Sequence, residues 1–280
     1  MPSSSSPRVP DVAHPGTRVV WLDGGIVPPD RAALAADDPG VRWGLGLFET
    51  MRADRGRVPL LDRHLRRLLA SAAALGLAPL PDEAAIRDAL ATTLSVHGPG
   101  PARVRLTVTP RPTLLIEATP LARDVQSDGP RGSFALSLRG AWVPGNRIAE
   151  HKTLSYAAWR LAQARAEAAG AAHALLLDRD GRLGEAAVAN VFCDLGGEVV
   201  TAPADGLLPG VARAICLPAV GARERAAEER EWRAAREIVA VNALRGAVAI
   251  TSVDGAPVGG GAPGPLAGAL AAALAGAAAD

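Results

Sequence analysis

The chain has 280 residues, 49% apolar and 21% charged, with a net charge of +1. That balance supports a packed core, argues against a disordered chain, and lacks the basic excess of a nucleic-acid binder. Two cysteines, Cys193 and Cys216, are too few for a disulfide framework. No window shows the about 18 uninterrupted apolar residues of a membrane span, and the Ser/Pro-rich residues 1–16 lack the apolar core of a signal peptide. The expectation is a cytoplasmic protein with no nucleic-acid or membrane partner.

In chain order, Arg18–Leu22 and Ile26–Val27 read as a strand pair around Asp23-Gly24-Gly25. Val41–Arg52 reads as a strand whose glycines admit a ligand close to the backbone. After the turn Asp54-Arg-Gly56 comes a short strand, Val58–Leu61. Leu65, Leu68, Leu69, Ala72 and Leu75 recur with a helical period that Gly76 ends. A second helix spans Asp82–His97, and Arg103–Val108 and Thr113–Thr119 alternate like paired strands. Ala122–Gly132, rich in polar residues, Gly and Pro, reads as an interdomain linker.

Beyond it, Ser133–Val143 reads as a strand and Ser155–Ala169 as a helix. His173–Leu177, Ala189–Cys193 and Val199–Thr201 form a meander, with a turn at Asp178–Gly181. Leu208–Arg213 opens a helix, Glu224–Arg236 is a charged helix, and Ile238–Val241 and Val248–Ile250 are strands. From Ala256 the chain is Gly/Pro-rich and then Ala-rich, a tail or a terminal helix. The resulting division is a tail (1–16), an N-terminal α/β domain (17–124), a linker (125–132), a larger domain (133–255) and the C-terminal stretch (256–280). No CxxC or HExxH spacing supports a metal site.

Composition also isolates one residue. Of the 30 Lys plus Arg, Lys152 is the only lysine. Arginine replaces lysine on most surfaces, but it neither forms a Schiff base nor shuttles protons as a neutral amine. The only tyrosine, Tyr156, comes four residues later, on the same face if the segment is helical.

Six blocks then occur in order: Trp43-Gly-Leu-Gly-Leu-Phe-Glu-Thr-Met-Arg52, Leu61-Asp-Arg-His64-Leu-Arg-Arg67-Leu68, His151-Lys-Thr-Leu-Ser-Tyr156, Gly184-Glu-Ala-Ala-Val-Ala-Asn190-Val-Phe192, Leu208-Pro-Gly-Val-Ala-Arg213 and Val241-Asn-Ala-Leu-Arg-Gly246. Together they resemble the class IV aminotransferases, the fold-type IV pyridoxal-phosphate enzymes, over roughly residues 20–255. The resemblance implies an α/β (α+β) protein with a smaller N-terminal domain, a larger C-terminal domain of mixed sheet or barrel, and pyridoxal 5'-phosphate between them. It implies a homodimer in which the neighbouring subunit helps cover each site, and a small amino or oxo acid as substrate.

Residue by residue, the resemblance places the cofactor Schiff base on Lys152, whose freed amine moves the substrate proton. Glu185 faces the pyridine nitrogen, with Asn190 in the same block. Arg67 clamps the phosphate, while the backbone at Gly210 and Val211 and the loop at Asn242 and Ala243 complete the anion site. Tyr156 lies near the phenolic oxygen. Trp43, Thr50, Arg52 and Arg111 are candidates for substrate contact. Ser155 stands where asparagine is common, and Trp43 where tyrosine or phenylalanine is common.

The choice of reaction turns on the step after deprotonation of the substrate α-carbon. Phe48-Glu49-Thr50, Asn242-Ala243-Leu244 and Ala186–Asn190 favour 4-amino-4-deoxychorismate lyase, which releases pyruvate to leave 4-aminobenzoate. The alternative is a branched-chain or D-amino-acid transaminase. A non-catalytic cofactor-fold protein is a remote third reading.

Overall fold

A computed structural model describes residues 17–121 and 132–279. The N-terminal part is an antiparallel five-stranded sheet ordered β2-β1-β5-β4-β3. Its strands are Val19–Leu22 (β1), Gly25–Val27 (β2), Leu47–Ala53 (β3), Ala102–Val108 (β4) and Leu114–Pro120 (β5). Helices Leu61–Leu75 (α2) and Glu83–His97 (α3) cover one face. Period-2 alternation explains the division of labour between the faces. Leu47, Met51, Val104, Leu106, Val108 and Ile116 form a core with Leu65, Leu68, Ile86, Leu90 and Leu94 of the helices. The intervening Phe48, Thr50, Arg103 and Arg105 line a cavity on the other face.

Helix ends obey their capping residues. Asp82 accepts a hydrogen bond from the Ala85 amide at 2.7 Å to start α3, and Gly76, at φ 62°, ends α2. The segment expected to be strand at Val41–Trp43 is instead a short helix, Pro39–Trp43 (α1). Asp38 caps it, proline sits in its first turn, and Gly44 terminates it in the left-handed region, so local capping overrides strand propensity. Val58–Leu61 is no strand: Pro59 and Leu60 form the turn that starts α2.

The C-terminal part is a nine-stranded mixed sheet, ordered β11-β10-β9-β12-β13-β6-β7-β8, with β14 pairing β13. The strands are Gly132–Leu138 (β6), His173–Leu177 (β7), Leu183–Ala186 (β8), Asn190–Asp194 (β9), Val199–Thr201 (β10), Arg223–Glu224 (β11), Glu237–Asn242 (β12), Gly246–Val253 (β13) and Ala256–Pro257 (β14). An isolated bridge from Ala186 to Ala189 closes the tight turn that leads from β8 into β9, within a sheet of half-barrel form. Its helices are Ala157–Ala168 (α4), Val211–Ala219 (α5), Glu229–Arg233 (α6) and Pro265–Ala279 (α7). Strands β6 and β7 run parallel, and α4 is their crossover.

Several sequence expectations shift here. The first strand of this domain ends at Leu138, and β8, a four-residue buried strand, read from sequence only as the start of a motif. The charged helix shrinks to Glu229–Arg233. Its Trp232 is buried and donates to the Gly181 carbonyl at 3.0 Å, which pins the segment to the core. The Ala-rich C-terminal stretch forms α7, with Leu266, Ala267 and Leu270 packed on Phe192, Val239 and Ala249. Buried Glu237 accepts from the Gly264, Leu266 and Ala267 amides at 2.9–3.2 Å, an anion at a helix N-terminus. Residues 1–16 and most of the expected linker, 122–131, lie outside the described residues, while Gly132 already belongs to β6.

Candidate active site

The two sheets meet over a cavity of about 630 Å³. Arg67, Lys152, Tyr156, Glu185, Asn190, Gly210, Val211, Asn242, Ala243 and Thr50 all line it. Arg52 instead borders a neighbouring cavity of about 270 Å³ near the end of α7. Trp43 lies on α1 with 62% of its surface exposed, and Arg111 is ion-paired with Asp37 at the surface. Neither Trp43 nor Arg111 reaches the cavity within one chain.

Lys152 sits on the connection between β6 and α4, and that connection is tied to the opposite sheet. The Phe48 amide donates to the Lys152 carbonyl at 2.9 Å, and the Leu154 amide donates to the Gly46 carbonyl at 2.9 Å. Gly46 has no room for a side chain, since a Cβ would lie 2.7 Å from the Val108 carbonyl oxygen. The Lys152 ammonium lies over the Phe48 ring, 4.4 Å from its centroid, and 5.3 Å from the Tyr156 centroid. Burial pushes its pKa down from 10.5 to about 8; Glu49 and Glu185 oppose the shift, while Arg67 and Arg105 add to it. A neutral amine is therefore accessible near neutral pH.

Glu185 is buried on β8. Its two oxygens each receive one neutral donor: Trp159 Nε1 at 3.3 Å and Asn190 Nδ2 at 3.2 Å. Burial dominates these neutral contacts and raises its pKa to about 8. Asn190 also donates to the Leu208 carbonyl at 2.9 Å, tying the carboxylate to the loop before α5. Gly210 closes that loop against Asn190, because a Cβ there would come 2.0 Å from Asn190 Oδ1. Gly210 offers no side-chain cap, so the first N–H groups of α5 remain open to an anion.

Arg67 stands at the same end. Its Nε and Nη2 donate to the two oxygens of Glu49 at 2.9 and 2.6 Å, and Nη1 donates to the Pro209 carbonyl at 3.1 Å. His64 Nδ1 lies 2.9 Å from Glu49 Oε2. Burial would raise the Glu49 carboxyl, but the Arg67 charge and the His64 and Arg67 hydrogen bonds hold it at about 2.

Two expected ligands turn out to be engaged with the backbone. The Tyr156 hydroxyl donates to the Ala187 carbonyl at 2.9 Å, leaving its lone pairs to accept, and burial raises its pKa. Asn242 Oδ1 accepts from the Leu244 and Arg245 amides and its Nδ2 donates to the Val188 carbonyl. The Asn242 side chain thus shapes the loop that lines the site with Ala243.

Sequence reasoning missed Glu49, Trp159 and the pair Arg103 and Arg105. The signal for Glu49 was available: a carboxylate on the core-facing register of an alternating strand needs a buried partner. Trp159 stacks on Tyr156 at 5.3 Å, a contact that nothing in the sequence marks. Arg103 and Arg105 share the cavity face of β4. Arg105 lies over Phe48 at 3.8 Å, and its neighbour Glu117 on β5 is ion-paired with Arg18 instead.

The family model "Amino-transferase class IV" matches residues 46–253. A putative branched-chain-amino-acid aminotransferase of Methanocaldococcus jannaschii is 32% identical, over 71% of this chain and 73% of its own. Branched-chain-amino-acid aminotransferase-like protein 1 of Arabidopsis thaliana is 25% identical over 89% of the chain; the chain spans about half the length of that relative, 48%. A bifunctional aminodeoxychorismate lyase / D-amino acid transaminase of Mycobacterium tuberculosis is 33% identical over 58% of this chain and 61% of its own. Among solved structures, a branched-chain aminotransferase from Thermoproteus uzoniensis superposes with a TM-score of 0.81 at 24% identity, covering 93% of this chain and 94% of that one. The chain belongs to the class IV aminotransferase family.

Proposed function

We propose that the chain is a pyridoxal-phosphate-dependent amino-acid transaminase with Lys152 as its catalytic amine. The observation that carries this reading is a lone lysine, held near a pKa of 8, in one cavity with a buried carboxyl and an anion-binding helix end. The donor set fits the cofactor's aldehyde, ring nitrogen and phosphate. Lys152 offers the amine, and Glu185 a carboxyl able to pair with a ring N–H. Arg67 and the open α5 amides suit a phosphate, and Gly210 keeps that approach bare. When bound, pyridoxal phosphate supplies the electron sink for a carbanion at the substrate α-carbon.

The chain's own residues do the rest. The Lys152 Nζ, whose neutral form burial makes more accessible, would take the α-proton and return it. Glu185, its carboxyl raised to about 8 by burial, would become the negative partner of a protonated ring nitrogen once the two are paired, aimed by Trp159 and Asn190. Arg103 and Arg105, on the cavity face of β4, are placed to receive a substrate carboxylate, in place of Arg52 and Arg111. The homodimer that the family resemblance implies would cover some of the exposed apolar side chains, Trp43 and Leu161 among them.

The relatives favour transamination over the lyase expected from short motifs, since the curated matches are mostly named as transaminases. Aminodeoxychorismate lyase stays as the second reading, supported by Asn242-Ala243-Leu244 and by the bifunctional relative. The test is the visible absorption of the cofactor-loaded protein, recorded with a panel of L- and D-amino acids and 2-oxo acids. A transaminase loses its visible band on adding a donor and regains it with an oxo acid. A band that no donor changes, with pyruvate released from aminodeoxychorismate, would replace this reading with the lyase.

A further inference from the structure

We propose that Glu49 is a positioning residue for the cofactor's phosphate: it grips one edge of Arg67, presents the other edge, and thereby sets the preference for a phosphorylated over an unphosphorylated pyridoxal. The inference rests on the cofactor reading above and goes to a residue that makes no contact with the cofactor in that reading.

The donor count of the guanidinium supplies the reason. It has five N–H groups in a fixed plane. Glu49 takes Nε–H and one Nη2–H, the side-on edge, and the Pro209 carbonyl takes one Nη1–H. One hydrogen remains on each terminal nitrogen, so both can still donate to phosphate oxygens. Pro209 immediately precedes Gly210, so the bond from Nη1 fixes the guanidinium beside the uncapped start of α5. Without Glu49, Arg67 could rotate about its long stem and spend those donors on solvent.

Glu49 is itself held rigidly. Its position in β3 is set by pairing with Leu106 of β4, its side chain is 1% exposed, and His64 fixes Oε2 from the preceding turn of α2. It carries the charge that a bidentate grip needs, because Arg67 and His64 keep it ionised to about pH 2.

Coulomb attraction alone would give the opposite outcome. Removing a carboxylate beside a phosphate site should strengthen phosphate binding if only Coulomb attraction matters. Affinities for pyridoxal phosphate and for pyridoxal should therefore be measured on the full chain, by dialysis and by tryptophan fluorescence, in wild type, Glu49→Gln and Glu49→Asp. The ratio favouring the phosphorylated form should fall tenfold or more in Glu49→Gln. It should also fall in Glu49→Asp, which keeps the charge but shortens the reach. In an Arg67→Ala background, Glu49→Gln should change the ratio no further. An unchanged or increased ratio in either Glu49 variant overturns the proposal, as does an equal loss in the Arg67→Ala background. Should Glu49→Gln fail to fold, Glu49→Asp and its Arg67→Ala double variant decide it. A wild-type chain that binds neither compound would instead overturn the cofactor reading.

Discussion

Lys152 and Phe48 are joined twice: the Phe48 amide donates to the Lys152 carbonyl at 2.9 Å, and the Lys152 ammonium lies 4.4 Å from the Phe48 ring centroid. Strand β3 of one domain therefore places the amine of the other. Phe48 excludes water from one side of the amine and offers only a weak cation–π attraction in return. Desolvation wins, so the amine gives up its proton more readily than a surface lysine.

Lys152 is the only lysine, so its amine can be tracked with only the chain's N-terminus as background. Burial disfavours the charged form, and the neutral fraction grows as pH passes about 8 rather than 10.5. The rate of acylation of Lys152 in the cofactor-free chain, monitored by peptide mass spectrometry, should rise with a midpoint near 8. A midpoint above 10 would show that the amine is solvated.

Glu185→Gln should fold, since both neutral donors can still be met by an amide oxygen or a small shift. It should slow turnover by roughly a hundredfold, the size of losing a group that stabilises developing charge. Trp159→Phe keeps the stack on Tyr156 but removes the Nε1 donor. Losing one hydrogen bond, about 1 kcal/mol, should cost about fivefold and alter the pH profile of turnover. Steady-state kinetics across pH checks both, and equal rates in wild type and Glu185→Gln would remove Glu185 from its role.

Lys152 and Tyr156 stood out by composition, and the resemblance pointed to Glu185, Asn190, His64 and Arg67 because its blocks are short and local. The rest depends on long-range register. Arg105 lies beside Phe48 because β4 pairs with β3 in the register Thr50 to Arg105, across a connection holding two helices. No local period encodes that. The position of Arg111 is long-range in the same way: within one chain its loop pairs it with Asp37, outside the cavity lining. The α1 error differs in kind, since Asp38, Pro39 and Gly44 were visible capping signals outweighed by an apolar run.

Glu49 should also shape acid stability. Its carboxyl is depressed from 4.5 to about 2 in the folded chain, so its contribution is complete above about 4.5 and is lost as pH falls toward 2. The size is roughly 3 kcal/mol. Thermal melts between pH 6 and pH 3 should show wild type losing more stability than Glu49→Gln, which starts lower. Parallel melting curves would show that the ion pair contributes nothing.

Arg105→Gln should raise KM for amino-acid substrates tenfold or more while leaving cofactor affinity within about twofold, because Arg105 faces the cavity from β4 whereas Arg67 and α5 form the phosphate end. Arg111→Gln should change neither, given its exposed pairing with Asp37. A large effect of Arg111→Gln on KM would mean that the loop reaches a site in a neighbouring subunit.

The central claim is that Lys152 is the amine that bonds the cofactor. It is tested most directly by treating the pyridoxal-phosphate-loaded protein with borohydride and mapping the reduced adduct by mass spectrometry. One adduct per chain, on the peptide containing Lys152 and absent from Lys152→Ala, is the predicted result. An adduct confined to the N-terminal amine, or none at all, would contradict the account.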